Sequence, residues 1–276
     1  MKIALVINPK KDVGFKVSTD ICNYLCRKGA AVFSDCPIDG SVFMEKIEAI
    51  KSCDFIITVG GDGTILKAVK FAYAFDKPIL GVNLGTIGFM ASMEPNEYNK
   101  LDALFSGEYT YQYRSALSIT AGNNSRSICN DVIALNDAVI SHGNWTQIMN
   151  IDLSCNGQLI TSYRADGLIF ATPTGSTAYS LSAGGPIIDT ELETIAVTPI
   201  CAHSFNGRSI LFKDTSVLEA TSAEGRGNVG YLTIDGLYNY KLEADDVVKV
   251  SLGKNKIRMI TFGDDSFYNI LSKKIK

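Results

Sequence analysis

The sequence predicts an α/β-plus-β fold: an N-terminal, Rossmann-like parallel α/β domain followed by an antiparallel β-domain. Three observations carry the prediction. Short apolar runs alternate with helix-length amphipathic stretches over residues 1–108. From 109 to 253 the texture changes to β-branched and aromatic runs between turn residues, without long helical patterns. A glycine-rich loop, Gly60-Gly61-Asp62-Gly63-Thr64, joins a strand-like run to a helical one. Strands separated by helices of this length imply βαβ units and a parallel sheet, whereas a run of short strands implies antiparallel pairing.

In chain order, KIALVINP reads as the first strand, and Phe15 to Lys28 as an amphipathic helix closed by Gly29. AVFSD is a second strand, Val42 to Lys51 a second helix and DFIITVGG a third strand. A helix from Thr64 to Phe75 follows, then the strand PILGVNLG after Pro78. The β-rich part reads as ALSITA, ICNDVIALNDAVIS, TQIMNIDLS, QLITSYRADGLIFATP, TIAVTPICA, YLTIDG and VVKVSLG. A short helix is expected from Ser266 to Lys276, with 254–276 packed on the first domain.

Composition narrows the function classes. The 276 residues carry a net charge of −3, with 46% hydrophobic and 20% charged residues. A pI near 5.5 and a mean hydropathy of +0.11 give no basic footprint for nucleic acid and no sign of disorder. No apolar run approaches the roughly 18 residues of a membrane span. The apolar run Ile3 to Ile7 is too short for a signal-peptide core, so a cytoplasmic, membrane-free protein is expected. The seven cysteines (22, 26, 36, 53, 129, 155 and 201) form no C-x-x-C pair. Cys22 and Cys26 share a helix face and read as buried small hydrophobes. His142 and His203, the two histidines, have no obvious carboxylate partner in sequence and cannot supply a histidine-rich metal centre, so no protein metal ligand is assigned.

Two loops carry the chemistry. In GGDGT, glycines let a ligand approach the backbone, and the helix behind them turns unpaired N–H groups toward phosphate. Gly60, Gly61, Gly63 and Thr64 are therefore phosphate-binding candidates, with Thr64 as helix cap and Lys67 as a cation one turn in. Asp62 is out of place beside phosphate unless it meets a metal–phosphate or takes a proton from a substrate hydroxyl. An ordinary Asp-Gly turn explains the same letters equally well. The second loop, Tyr163 to Ile187, gathers Thr174, Ser176, Thr177 and Ser182 around Tyr179, whose ring offers a flat face to a base, before Gly184-Gly185-Pro186.

Together these loops resemble the NAD kinase family. GGDGT alone also occurs in diacylglycerol and sphingosine kinases, and a similar loop in phosphofructokinases. The run from Asp166-Gly167 through TPTGSTAYSLSAGGP is far more particular to NAD kinases, and LGTIGFM (Leu84 to Met90) and ALND (Ala134 to Asp137) follow the family's order. The resemblance covers nearly the whole chain. It implies transfer of a phosphoryl group from ATP or polyphosphate to the adenosine 2′-hydroxyl of NAD, with a divalent metal, Mg²⁺, and a homodimer or homotetramer. Carried over by residue, Asp62 becomes the proton acceptor and positioning group, with Gly63 and Lys67 near the dinucleotide; Phe89, outside that carry-over, reads equally well as lining the nucleotide pocket or as core. Asn136 and Asp137 match an Asn-Glu pair, Asp137 being shorter by one methylene. Gln147, Arg164 and Asp166 fall at contact positions, and Thr177, Ala178, Tyr179 and Ser182 would cradle the dinucleotide, Tyr179 against a base. Rival readings are a lipid kinase sharing GGDGT and a non-catalytic dinucleotide sensor, though a sensor has no use for Asp62.

Other motifs carry less. GRGNVG (Gly225 to Gly230) has glycine spacing like a dinucleotide fingerprint but leads into a strand, so a hairpin loop is expected. No G-x-x-x-x-G-K-[ST] and no G-x-S-x-G occurs, which removes P-loop NTPases and α/β-hydrolases.

Overall fold

The structure is a computed structural model that describes residues 1–85, 88–142, 148–203, 207–222, 230–263 and 267–274. The chain divides into two compact units, one of residues 1–114 with 257–276 and one of residues 115–256.

The first unit is built on a seven-stranded sheet. Its elements in order are β1 (Lys2–Ile7), α1 (Lys16–Arg27), β2 (Ala31–Ser34), β3 (Val42–Phe43), α2 (Lys46–Ser52), β4 (Phe55–Gly60), α3 (Asp62–Phe75), β5 (Ile79–Asn83), α4 (Asp102–Ser106) and β6 (Thr110–Arg114). A returning strand, Ile257–Thr261, inserts between β5 and β6, parallel to the first and antiparallel to the second. The terminal helix Phe267–Lys274 follows it. Across the sheet the order is β3-β2-β1-β4-β5, the returning strand and β6. β1 pairs in parallel with both β2 and β4, so the chain order reverses between β1 and β4. In a doubly wound sheet that reversal opens a crevice at the carboxyl ends of the two strands.

The helices form where apolar spacing demands burial. α1 buries Ile21, Cys22 and Leu25, one face of a 3.6-residue period, against Leu5, Ile57 and Leu80 in a shared core. Cys26, expected to be buried with Cys22, is only half-buried; its sulfur lies 4.0 Å from that of Cys22. Asp12, itself buried, accepts the backbone N–H groups of Val17 and Ser18 at 3.0 and 2.9 Å and so caps the helix from four residues upstream of its first turn.

Two expectations change here. Val42 to Lys51 is not one helix: Val42 and Phe43 pair with Phe33 and Ser34 at the sheet edge, and Glu45 is extended, so the helix starts at Lys46. β-branched and aromatic side chains beside an open edge are recruited by pairing. Nor does Thr64 cap α3 as its first residue. The helix begins at Asp62 with Gly61 as N-cap, and Thr64 stands at the third helical position, its hydroxyl accepting the Gly61 N–H at 3.4 Å.

The second unit contains two six-stranded antiparallel sheets. Its elements are β7 (Leu117–Gly122), β8 (Ser127–Ala134), β9 (Asp137–His142), β10 (Met149–Cys155), β11 (Gln158–Ala165), β12 (Gly167–Ala171), the short helix α5 (Tyr179–Ser182), β13 (Thr194–Ile200), β14 (Ile210–Lys213), β15 (Leu218–Ser222), β16 (Gly230–Ile234), β17 (Tyr238–Leu242) and β18 (Val247–Leu252). One sheet runs β11-β10-β15-β18-β7-β8, the other β14-β13-β12-β9-β16-β17. Inward-facing Leu117, Ile151, Leu153 and Val250 of the first pack with Ile140, Leu168, Phe170 and Leu232 of the second in one core.

Two runs that read as continuous are each broken between the sheets. The run from Gln158 to Pro173 ends in one sheet at Ala165 and restarts in the other at Gly167. Gly167 permits this because a Cβ there would stand 2.3 Å from the Ile140 carbonyl oxygen. The run from Ile128 to Ser141 changes sheet at Leu135-Asn136. The hairpin expected at GRGNVG lies outside the described residues except for Gly230, which opens β16.

Candidate functional site

At the carboxyl end of β4 the chain turns directly into α3 through Gly60 and Gly61. Gly60 is fixed by packing, since a Cβ would fall 2.1 Å from the Thr64 hydroxyl oxygen. Gly63 is different. It is exposed, its φ is not positive, and a Cβ would meet no protein atom within 4 Å. The first N–H groups of α3 have no intrahelical acceptor and face the end of the helix where negative charge is favoured. Lys67, one turn on, is exposed.

Asp62 is half-buried and held from one side. Its Oδ2 accepts the backbone N–H of Phe89 at 3.0 Å, so the sequence candidates Asp62 and Phe89 meet through the backbone of Phe89. Its Oδ1 is buried and has no hydrogen-bond partner among the described residues. Gly88 lies over that oxygen, and a Cβ there would come within 2.2 Å of it. A buried carboxylate oxygen lacking a donor is costly unless a donor arrives. Thr86 and Ile87 of the LGTIGFM stretch lie outside the described residues.

In the second unit Leu135 and Asn136 join β8 to β9, and Asp137 is the first residue of β9. Asp235, at the Asp-Gly turn after β16, locks that turn. Its carboxylate accepts the N–H groups of Leu135 (2.8 Å), Asn136 (2.8 Å) and Asp137 (3.1 Å), and its own N–H donates to the Asp137 carbonyl at 2.9 Å. Asp235 and Asp137 are both buried. Burial and the neighbouring Asp235 push the Asp137 carboxyl up to about 7. Burial also raises Asp235, against the pull of its three amide donors.

The Thr174–Ser182 segment leans on the same turn. The Asn136 carbonyl accepts the Thr172 N–H at 2.9 Å, and Gly175 passes so close that a Cβ would lie 2.0 Å from the Asn136 carbonyl oxygen. Much of the hydroxyl content is spent inside the protein. Ser176 is fully buried, donating to the Pro173 carbonyl at 2.6 Å and accepting the Ile188 N–H at 3.0 Å. Thr177 donates to the Thr174 carbonyl at 3.2 Å, while Ser180 pairs with Thr198. Thr174 is buried too, so of the four small polar groups read as ligand contacts, Ser182 alone is exposed, beside half-exposed Tyr179 and part-buried Ala178.

Arg164 is exposed on β11. Asp166 sits at the sheet crossing, its Oδ1 3.9 Å from His142 Nε2, which corrects the expectation that His142 lacks a carboxylate neighbour. Gln147 lies outside the described residues. Sequence reasoning missed two residues that the geometry brings forward, Asp235 and Lys11. The Asp-Gly pair after YLTI and the lysines after the first strand were visible, but their neighbours are far away in sequence.

A glycine turn at the reversal point of a parallel sheet, a carboxylate short of one donor and an appended β-unit define a nucleotide-handling α/β-plus-β enzyme. A sequence profile of the ATP-NAD kinase N-terminal domain matches residues 3–109, and one of the ATP-NAD kinase C-terminal domain matches residues 135–262. The NAD kinase of Lachnoclostridium phytofermentans is 33% identical over 280 residues, covering 99% of this chain and 98% of that protein. The NAD kinase of Symbiobacterium thermophilum is 35% identical over 280 residues, with the same coverage. The chain belongs to the NAD kinase family. Among solved structures the fold is similar to yeast NADH kinase complexed with NADH (TM-score 0.87, 24% identity, 100% of this chain and 87% of that one). It is also similar to an NAD kinase from Archaeoglobus fulgidus in complex with ATP (TM-score 0.79, 24% identity, 99% and 98%).

Proposed function

We propose that the protein phosphorylates NAD at the 2′-hydroxyl of its adenosine ribose, giving NADP, with ATP or polyphosphate as donor. The carrying observation is Asp62. One oxygen is anchored by the Phe89 N–H and the other is buried without a donor, under a glycine. A substrate hydroxyl is the donor that such an oxygen lacks. In this reading Oδ1 accepts the hydrogen bond of the 2′-hydroxyl and takes its proton as the 2′-oxygen bonds to the terminal phosphorus. The bond from that phosphorus to the bridging oxygen of the donor breaks on the opposite side. Because phosphoryl transfer is loose, alignment and charge neutralisation matter more than early deprotonation.

The donor phosphates lie against Gly60, Gly61, Gly63 and the start of α3. A divalent ion, Mg²⁺, would be carried on the donor phosphates and would neutralise part of their charge. Lys67 and Arg164 supply further positive charge. Asn136, Asp137, Asp166, Gln147, Thr177, Ala178 and Ser182 contact the dinucleotide, and Tyr179 stacks on a base. Among the described residues no helix is long and apolar enough to cross a membrane. The protein works in the cytoplasm as a homodimer or homotetramer. The lipid-kinase alternative has no support in profiles that match residues 3–109 and 135–262.

The test is a coupled assay for NADP from NAD, Mg²⁺ and each donor in turn. NADP formation that stops on chelation is expected. NAD binding without NADP from any donor would establish the sensor reading instead.

A further inference from the structure

The Lys11 ammonium occupies a place that two glycines keep open. A Cβ on Gly61 would lie 2.6 Å from Lys11 Nζ, and a Cβ on Gly85 would lie 2.8 Å from it. These glycines follow β4 and β5, and Lys11 follows β1, so the ammonium stands where the carboxyl ends of three neighbouring parallel strands converge. β1 and β4 flank the point where strand order reverses.

The backbone beneath Lys11 is fixed at both ends. Asn8 donates its N–H to the Val59 carbonyl at 2.9 Å, and its own carbonyl accepts the N–H groups of Lys11 and Asp12, each at 3.0 Å. The buried Asp12 carboxylate is taken up by the first turn of α1 and does not neutralise Lys11. Across the crevice, Asn83 at the end of β5 holds Gly85 through N–H and carbonyl contacts of 3.2 and 3.3 Å. Among the described residues no carboxylate lies within ion-pair distance of Lys11 Nζ, although other surface lysines such as Lys28 and Lys46 do have one. A cation seated over a glycine turn, beside the open N–H groups of α3 and without an acidic partner, is arranged for an anion that the protein does not itself supply.

We propose that Lys11 is a donor-binding residue whose ammonium neutralises the phosphates of the triphosphate as its terminal phosphoryl group transfers. The inference rests on the phosphoryl-transfer reading above and adds the cation that the sequence had sought in Lys67. A Cβ at Gly61 or at Gly85 would displace the flexible ammonium from its place across the turn. Lysine acts on phosphate as a point charge, so arginine should substitute for it in part.

The experiment is steady-state kinetics of Lys11→Met and Lys11→Arg, varying ATP and NAD separately, with calorimetric titration of ADP and of tripolyphosphate into each protein. Lys11→Met is expected to raise KM for ATP and weaken ADP and tripolyphosphate binding about ten- to hundredfold, the range for one lost charge-assisted contact. The KM for NAD and the melting temperature should stay at wild-type values, and Lys11→Arg should recover most of the donor affinity. An unchanged KM for ATP in Lys11→Met, with the wild type active, would overturn the assignment. So would a rise confined to the KM for NAD, which would place Lys11 on the dinucleotide pyrophosphate. A wild-type protein that forms no NADP at all would instead sink the phosphoryl-transfer reading, and the phosphate titrations would still decide whether Lys11 binds an anion.

Discussion

The GGDG turn in the first unit and the Thr174–Ser182 segment in the second unit resemble each other as sequence, both made largely of small residues. They are built differently. Gly175 of the Thr174–Ser182 segment is required by the Asn136 carbonyl, and the Thr174, Ser176, Thr177 and Ser180 side chains are buried or bonded within the protein. At the GGDG turn, a Cβ on Gly63 would meet no atom within 4 Å, and among the described residues Asp62 Oδ1 has no donor and Lys11 has no acidic neighbour. One segment is a frame that is already satisfied; the other has been left incomplete. Small-residue content alone does not separate the two, whereas asking what each atom already touches does.

The largest expected effect falls on the incomplete side. Asp62→Asn keeps a hydrogen-bonding oxygen but cannot take a proton, so kcat should fall ~10²–10⁴-fold, or roughly 3–5 kcal/mol, with little change in Kd for NAD. A wild-type kcat in that variant would remove Asp62 from the chemistry and collapse the contrast.

On the framed side, Asp137 is a carboxyl raised to about 7 beside Asp235. The folded state therefore holds a proton that the unfolded chain has released between about pH 4 and pH 7, so stability falls as pH rises through that window. Asp137→Asn removes this cost and should stabilise the protein at pH 8 by up to about 4 kcal/mol, with no gain near pH 4. The same variant should weaken NAD binding. Melting curves at both pH values, with calorimetry of NAD at pH 8, check the two halves; equal stability shifts at both pH values would exclude the buried charge as the cause.

A paired substitution tests the comparison directly. Gly175→Ala places a Cβ against the Asn136 backbone and should cost roughly 1–3 kcal/mol of stability, as overpacking does. Gly63→Ala should melt no lower than wild type, since alanine suits a first helical turn better than glycine, yet it should lose donor affinity. If both variants melted alike, the distinction between frame and opening would be wrong. The smallest effect is Tyr179→Ala. Its half-exposed ring should contribute about 1–3 kcal/mol of stacking to NAD affinity, at the lower end because of that exposure. An unchanged Kd for NAD would assign Tyr179 to the loop instead.

Much of the architecture was legible because local patterning and tertiary demand agree. KIALVI, FIITV and ILGVN are apolar on both faces, as strands of a parallel sheet covered by helices must be, and the spacing of Ile21, Cys22 and Leu25 dictates a helix face. Legibility failed where a partner decides. Val42 and Phe43 became strand because Phe33 and Ser34 stood open beside them, and the run through Asp166 broke because two sheets compete for it. The same holds for the site. GGDGT and TPTGSTAY advertise themselves locally, while Lys11 meets Gly61 and Gly85 only through the adjacency of β1, β4 and β5, and Asp235 meets Asn136 only through the pairing of β16 with β9.

The clamp at Asp235 also sets a timetable for the growing chain. The three amides it holds were synthesised about a hundred residues earlier, at Leu135, Asn136 and Asp137. Until β16 docks beside β9, that turn has backbone donors with nothing to fix their direction, and contacts of such long sequence separation form slowly. On a ribosome the second unit therefore acquires its Asn136–Asp137 geometry only after residue 235 has emerged, long after both glycine-rich segments are outside. A nascent chain released before this point would carry both recognisable motifs and an Asn136–Asp137 segment still without its clamp.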